Sequence, residues 1–255
     1  MIPRLLTPCP LAEGAEIPLS DGQAHYLRNV LRRAVGDPIK AFNGEYGEYE
    51  ATIAALGKKG GAARLGPQLR APEAEPDLRL YFAPIKRGPL EAILQKGVEL
   101  GVASFHPVIT ERTNADRLRL DRLAAICVEA AEQCGRLSAP TIAAPVKFDA
   151  FLATRREQER LVFCDEAGDD PDAAWGGTAG RAAPMLDVLK GADPNGPWGL
   201  LIGPEGGFTA AERAALRARE GIAPATLGPR ILRADTAAIA AIALWQAALG
   251  DLQET

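Results

Sequence analysis

Two apolar rhythms run along the chain, and one gives way to the other near residue 70. Before that point apolar positions come in short alternating bursts, "PIKAF" at 38–42, "GEYEATIAAL" at 47–56 and "AARLG" at 62–66, separated by the Asn43-Gly44 and "GKKGG" turns. A period of two marks half-buried strands, and Asn-Gly between them is a strong hairpin signal. Ahead of these, "PLSDGQAHYLRNVLRR" at 18–33 carries a capping box, Ser20 with Gln23, and then Leu27 and Leu31 at helical spacing. The pattern predicts one helix that presents Arg28, Arg32 and Arg33 together. The proline-rich, charged "QLRAPEAEPD" at 68–77 reads as a linker.

From Asp77 onward strands and helices alternate. Strands are predicted at 78–85, 102–110, 160–166, 198–203 and 224–228. Helices are predicted at 88–101, up to "VEAAEQCGR" at 128–136, at 148–158, from Thr209, and from about Asp235 to Leu249. Pro89 sits in the first turn of one helix and Gly101 past its end, and Thr209 with Glu212 forms a second capping box. This order predicts an α/β domain over 77–255 with a mostly parallel sheet covered on both faces, behind a small β-rich domain over 1–70. The stretch from Ala167 to Pro197 reads as a surface loop with a short helix near "MLDVLKG", without an assigned function.

Composition narrows the chemistry. A chain of 255 residues that is 47% hydrophobic can build one large core or two smaller ones. Cys9, Cys127, Cys134 and Cys164 are widely spaced, and His25 and His106 are the only histidines, so no metal site, disulfide framework or Ser-His-Asp triad is expected. Cys127 and Cys134 are read as packed helix residues and both histidines as structural. No apolar run approaches the roughly 20 residues that span a bilayer, and the first residues lack the apolar core of a secretion signal, so a cytoplasmic protein is expected. The net charge of −4 is uneven: +2 over residues 1–70, −1 over 71–137 and −5 over 138–255. Bases cluster at Arg28, Arg32 and Arg33, at Lys86 and Arg87, and at Arg117, Arg119 and Arg122, which allows a local polyanion surface.

Ligands of parallel sheets bind beyond the carboxyl ends of the strands, which directs attention to "GLLIGPEGGFTAAE" at 199–212 and "LGPRILRADTAA" at 227–238. Neither a G-x-G-x-x-G fingerprint nor a G-x-x-x-x-G-K-[ST] phosphate loop occurs, and Glu205 sits where a phosphate would be repelled. Gly203, Gly206 and Gly207 still permit close backbone approach.

These two loops, with "QKGVELGV" at 95–102, "ITER" at 109–112, "EQCGR" at 132–136 and "HYLRNVLR" at 25–32, resemble the SPOUT superfamily of methyltransferases. Within it the chain is similar to the bacterial 16S ribosomal RNA uracil-N3 methyltransferase family, and the similarity spans nearly the whole chain. The resemblance implies a PUA-like β-barrel followed by a SPOUT-type parallel sheet with a C-terminal trefoil knot, an exception to the rule that connections do not thread loops. It implies a homodimer acting in ribosomal RNA processing on 16S ribosomal RNA or the small-subunit particle, with S-adenosylmethionine as cofactor. The cofactor would be held by Ile202, Gly203, Glu205, Gly206, Leu227, Gly228, Ile231, Leu232, Thr236 and Ala237. Arg28, Arg32, Arg33, Lys86, Arg87, Arg112 and Arg136 would contact RNA. A uracil imide must lose its N3 proton, so Arg233 is expected to steady the developing charge and Glu205 to accept the proton. One departure stands out: Ala234-Asp235-Thr236 replaces the family's usual Thr-Glu-Thr, with Asp235 read as the N-cap of the last helix. A SPOUT ribose 2′-O-methyltransferase, whose relatives tend to carry Asn in place of Pro204, and a non-catalytic ribosome-assembly factor are the alternatives.

Overall fold

A computed structural model describes residues 2–114 and 118–253, so Arg117 of the predicted basic cluster lies outside the described residues. The chain forms two units, Met1–Ala74 with Val128–Ala139, and Glu75–Cys127 with Pro140–Thr255.

In the first unit β1 (Arg4–Leu6), β2 (Glu16–Leu19), β3 (Pro38–Asn43), β4 (Gly47–Leu56) and β5 (Gly61–Arg70) form one sheet in the order β1-β3-β4-β5-β2. The β3–β4–β5 meander is antiparallel, as the alternation predicts, and its inward positions Ile39, Ala41, Ala51, Ile53, Ala63 and Leu65 meet Leu5, Ile17 and Leu27 in the core. The first hairpin is one residue longer than its Asn-Gly signal suggests, because Asn43 pairs with Gly47. Asn43 Oδ1 accepts the N–H groups of Glu45 (3.1 Å) and Tyr46 (2.8 Å), closing the turn with its own side chain.

The predicted arginine-bearing helix is corrected. The Ser20–Gln23 capping box is present and starts α1 (Asp21–His25), but a π-helical turn, Tyr26–Val30, follows and ends it. Arg32 is left-handed at φ +55°, and the Arg33 N–H returns to Leu27 O at 2.8 Å. The chain has only residues 31–37 in which to turn into β3, and Pro38 pushes Asp37 out of the helical region. Of the three arginines only Arg28 is helical, and its Nη1 donates to Gly57 O at 2.7 Å.

The second unit contains β6 (Leu78–Phe82), α2 (Arg87–Glu99), β7 (Ser104–Ile109), α3 (Leu120–Cys134), β8 (Thr141–Ile142), β9 (Val146–Lys147) and α4 (Phe148–Thr154). It continues with β10 (Arg160–Cys164), α5 (Met185–Leu189), β11 (Trp198–Ile202), α6 (Ala210–Arg217), β12 (Ile222–Ala225) and α7 (Ala234–Leu249). From Val128 onward α3 belongs to the first unit. The strand order is β12-β10-β11-β6-β7-β8, with β9 also on β7, and these pairings are parallel. β6 and β11 are buried at every position, as strands of a sheet covered on both faces are, and the one charge among them, Arg79, pairs with Asp77 at 2.7 Å. β12 begins two residues before the predicted strand. α7 packs on α2, α5 and β11, and its buried Gln246 donates to Leu100 O at 2.7 Å. No helix among the described residues is long and apolar enough to cross a membrane.

Arg4 organises the first unit. Its guanidinium donates to Ala131 O, Glu132 O, Gly135 O and Arg136 O, the orphan carbonyls at the end of α3, at 2.8–3.2 Å. It also pairs with buried Glu48 at 2.5 Å and lies over the Phe42 ring.

Candidate functional site

β12, β10 and β11 are neighbours, so the loops leaving their carboxyl ends share one edge of the sheet. They enclose a cleft. The loop after β11 contributes Ile202 through Phe208, the end of β10 contributes Cys164, Asp165, Glu166 and Ala167, and the segment after β12 contributes Ile231, Leu232, Ala234 and Ala237. Arg112, Trp175 and Arg213 complete the wall.

The structure therefore brings together Ile202, Gly203, Glu205, Gly206, Ile231, Leu232 and Ala237 from the predicted cofactor set. Leu227, Gly228 and Thr236 stand outside the wall. Glu205 is exposed at the cleft, and Arg233 is exposed at the N-cap of α7, between the wall residues Leu232 and Ala234. The cap prediction for Asp235 is corrected: α7 begins at Ala234, and Asp235 Oδ1 accepts from Thr236 N–H at 2.8 Å inside the first turn.

The glycines divide by role. A Cβ on Gly203 would come within 3.0 Å of the Phe208 ring, so that position is kept bare by packing. Gly207 (φ +67°) and Gly228 (φ +115°) are left-handed, and a Cβ there would meet nothing within 4 Å. Open backbone of this kind, together with the aliphatic side chains of Ile202, Ile231, Leu232 and Ala237, offers a ligand close backbone approach and apolar contact.

The glycine loop is braced from outside. Arg112 Nη1, assigned by sequence to RNA, donates to Gly206 O at 2.8 Å. Glu212 does more than cap α6: Oε2 accepts the Thr209 N–H (2.9 Å) and Oε1 the Glu111 N–H (2.8 Å), tying the "ITER" segment to the loop. Under the cleft, buried Asp165 pairs with Arg213 and Arg217, each at 2.8 Å. Glu166 carries a carboxyl raised by burial and by neighbouring Asp165, with Arg181 and Arg213 opposing. Burial, with Glu166 and Asp165 beside it, also pushes the Cys164 thiol up.

The other predicted contacts are scattered. Lys86 is exposed ahead of α2, and Arg87 pairs with Glu91 at 2.8 Å, a carboxylate shared with Arg122. Arg28 and Arg33 are half-buried and Arg32 exposed, while Arg136 donates to Ser138 Oγ at 3.2 Å. His106 lies 2.8 Å from Ser104 Oγ, and burial, with Arg79 and Arg156, pushes its pKa down to about 4, a neutral structural group. Cys127 is buried, but Cys134 is exposed and not packed as predicted.

Sequence reasoning missed Asp165, Glu166, Trp175 and Arg213. The first two are the last residues of the strand predicted at 160–166, which ends earlier, at Cys164, and so leaves them at its carboxyl end; Trp175 and Arg213 gave no local signal.

Residues 72–246 match the RNA methyltransferase domain family, and residues 19–65 match the RNA methyltransferase PUA domain. The chain is thus an RNA methyltransferase domain with a PUA domain ahead of it. Ribosomal RNA small subunit methyltransferase E of Rickettsia conorii is 32% identical over 234 residues, covering 91% of this chain and 90% of that protein. The Synechocystis protein of the same name is 34% identical, covering 90% of this chain and 72% of its own length. Among solved structures, ribosomal RNA small subunit methyltransferase E from Neisseria gonorrhoeae bound to S-adenosyl methionine is similar at a TM-score of 0.82 and 29% identity, covering 98% of this chain and 99% of that one. The chain belongs to the ribosomal RNA small subunit methyltransferase E family.

Proposed function

We propose that this chain methylates N3 of a specific uridine in 16S ribosomal RNA within the small-subunit particle, as a cytoplasmic homodimer whose second unit carries a SPOUT-type trefoil knot. The family's activity is S-adenosylmethionine-dependent methylation of ribosomal RNA. The observation that carries the reading is the cleft itself: loops 203–208 and 231–237, from two different strand ends, line it with apolar side chains and bare glycine backbone. A knot that draws α7 beneath the glycine loop accounts for that meeting.

When bound, S-adenosylmethionine supplies a methyl group on a sulfonium. Ile202, Gly203, Glu205, Gly206, Ile231, Leu232 and Ala237 would hold it in the cleft, with Leu227, Gly228 and Thr236 supporting from outside the wall. The chain's own task is the imide proton. Arg233, at the N-terminus of a 16-residue helix, adds its charge to the helix dipole beside the developing uracil anion. Glu205, exposed at the cleft, accepts the proton. Arg28, Arg32, Arg33, Lys86, Arg87 and Arg136 hold phosphates, while Arg112 holds Gly206 and shapes the entrance.

Single-turnover methylation tests the roles. Arg233→Ala should slow the step on bound RNA about 10²- to 10³-fold, the scale of one preorganised donor, with little loss of binding. Glu205→Gln should slow it too and recover partly as pH rises, because hydroxide replaces the base. Normal rates in both variants would leave the mechanism without a residue to act through.

A further inference from the structure

The loop after β10 was expected to be mere surface, yet it places an aromatic side chain in the cleft. Trp175 is 48% exposed and lines the same wall as Gly203, Ile231 and Leu232. Its backbone is left-handed at φ +58°, a conformation that bulky L-residues adopt only when the surroundings impose it. Here they do. The Trp175 carbonyl accepts Gly168 N–H at 3.0 Å, and Asp170 N–H donates to Gly176 O at 2.9 Å. A side chain on Gly168 would collide with the Gly176 carbonyl. The base of the loop is fastened by Arg213, which donates to Ala167 O (2.7 Å) and Gly168 O (2.9 Å).

We infer that Trp175 is the aromatic wall of the cofactor pocket, with its indole stacked on the adenine of S-adenosylmethionine. The inference rests on the cofactor reading above and deepens it. β10 stands between β12 and β11, so its loop leaves the sheet between the two loops assigned to the cofactor, and Trp175 lines the cleft that they form. Apart from Phe208, which is 7% exposed and largely taken up by packing, no other side chain of that wall offers an aromatic face, whereas adenine has two faces to cover. An exposed indole held rigidly at a crevice edge loses little freedom on binding, which favours a stacking role.

The molecule supplies its own reporter. Of the three tryptophans, Trp198 and Trp245 are 4% and 1% exposed, so Trp175 alone gives a solvent-exposed emission. S-adenosylhomocysteine, added without RNA, should quench and shift that emission in the wild type and leave Trp175→Phe unchanged. By calorimetry, Trp175→Ala should bind S-adenosylhomocysteine about tenfold more weakly, and Trp175→Phe within about threefold of wild type, the scale of one base–aromatic stack. A cooperative melt of both variants confirms that they fold.

Wild-type binding with unchanged emission, or equal affinity in Trp175→Ala, overturns the inference and leaves the cofactor reading standing. A response that appears only when RNA is added overturns it also, assigning the indole to the target base. Absence of calorimetric binding by the wild type overturns the cofactor reading itself, and the inference with it.

Discussion

Replacing Arg213 by methionine keeps the apolar stem of the side chain and removes its charge from beneath the cleft. Asp165, 2% exposed, would lose one of two arginine partners at 2.8 Å, and Ala167 O and Gly168 O would lose donors at 2.7 and 2.9 Å. Breaking a buried ion pair from one side costs about 3–5 kcal/mol. Arg217 remains 2.8 Å from the other Asp165 oxygen, which moderates the loss, and the contact to half-exposed Asp169 adds little. An expected destabilisation of about 3 kcal/mol corresponds to a fall in Tm of roughly 6–12 °C for a unit of this size. Urea and thermal unfolding of wild type, Arg213→Met, Asp165→Asn and the double variant measure it, and the double variant should lose clearly less than the two single losses combined. A loss below about 1 kcal/mol, or strict additivity, would refute the claim that this pair supports the loop.

Other outcomes follow from the same structure. Burial alone would raise the Glu48 carboxyl, but Arg4 and Lys40 outweigh it and hold it below its ordinary 4.5. Its folded pKa is depressed, so its contribution to stability is present above that value and is lost as pH falls through the folded one. Arg4→Met should flatten the acid loss of stability in urea titrations below about pH 5; an unchanged pH slope would contradict this. Gly228→Val forces a side chain into a left-handed position at φ +115° and should abolish S-adenosylmethionine binding in calorimetry while unfolding stays cooperative. Retained affinity would remove Gly228 from any cofactor role. Replacing Arg28, Arg32 and Arg33 by Ala should weaken RNA binding and reduce its salt slope; an unaltered slope would assign them to the turn before β3 alone.

What was legible in the chain was what neighbouring residues decide. The alternation of strands and helices from Asp77 onward announced a mostly parallel sheet, and Ser20/Gln23 and Thr209/Glu212 announced helix starts that the structure contains. β1 and β2 were not foreseen, since strands of three and four residues leave too short an alternation to see. Arg32 leaves the helix after the π-helical turn at Tyr26–Val30, where the chain turns toward β3, and periodicity carries no sign of that turn. The cleft's two Gly-Pro loops could be read as a site; Trp175 and Arg213 in its third wall could not. Trp175 and Arg213 join it through a loop whose hydrogen bonds run from Gly168 to Trp175, from Asp170 to Gly176 and from Arg213 of α6 to Gly168, contacts with no periodic signature.

The central claim is tested most directly by the product. Small-subunit particles from a strain lacking this activity, incubated with the purified protein and S-adenosylmethionine and digested to nucleosides, should show 3-methyluridine by mass spectrometry, at one site per 16S ribosomal RNA. A ribose-methylated nucleoside instead, or no methylation by a protein that binds both cofactor and RNA, would contradict it.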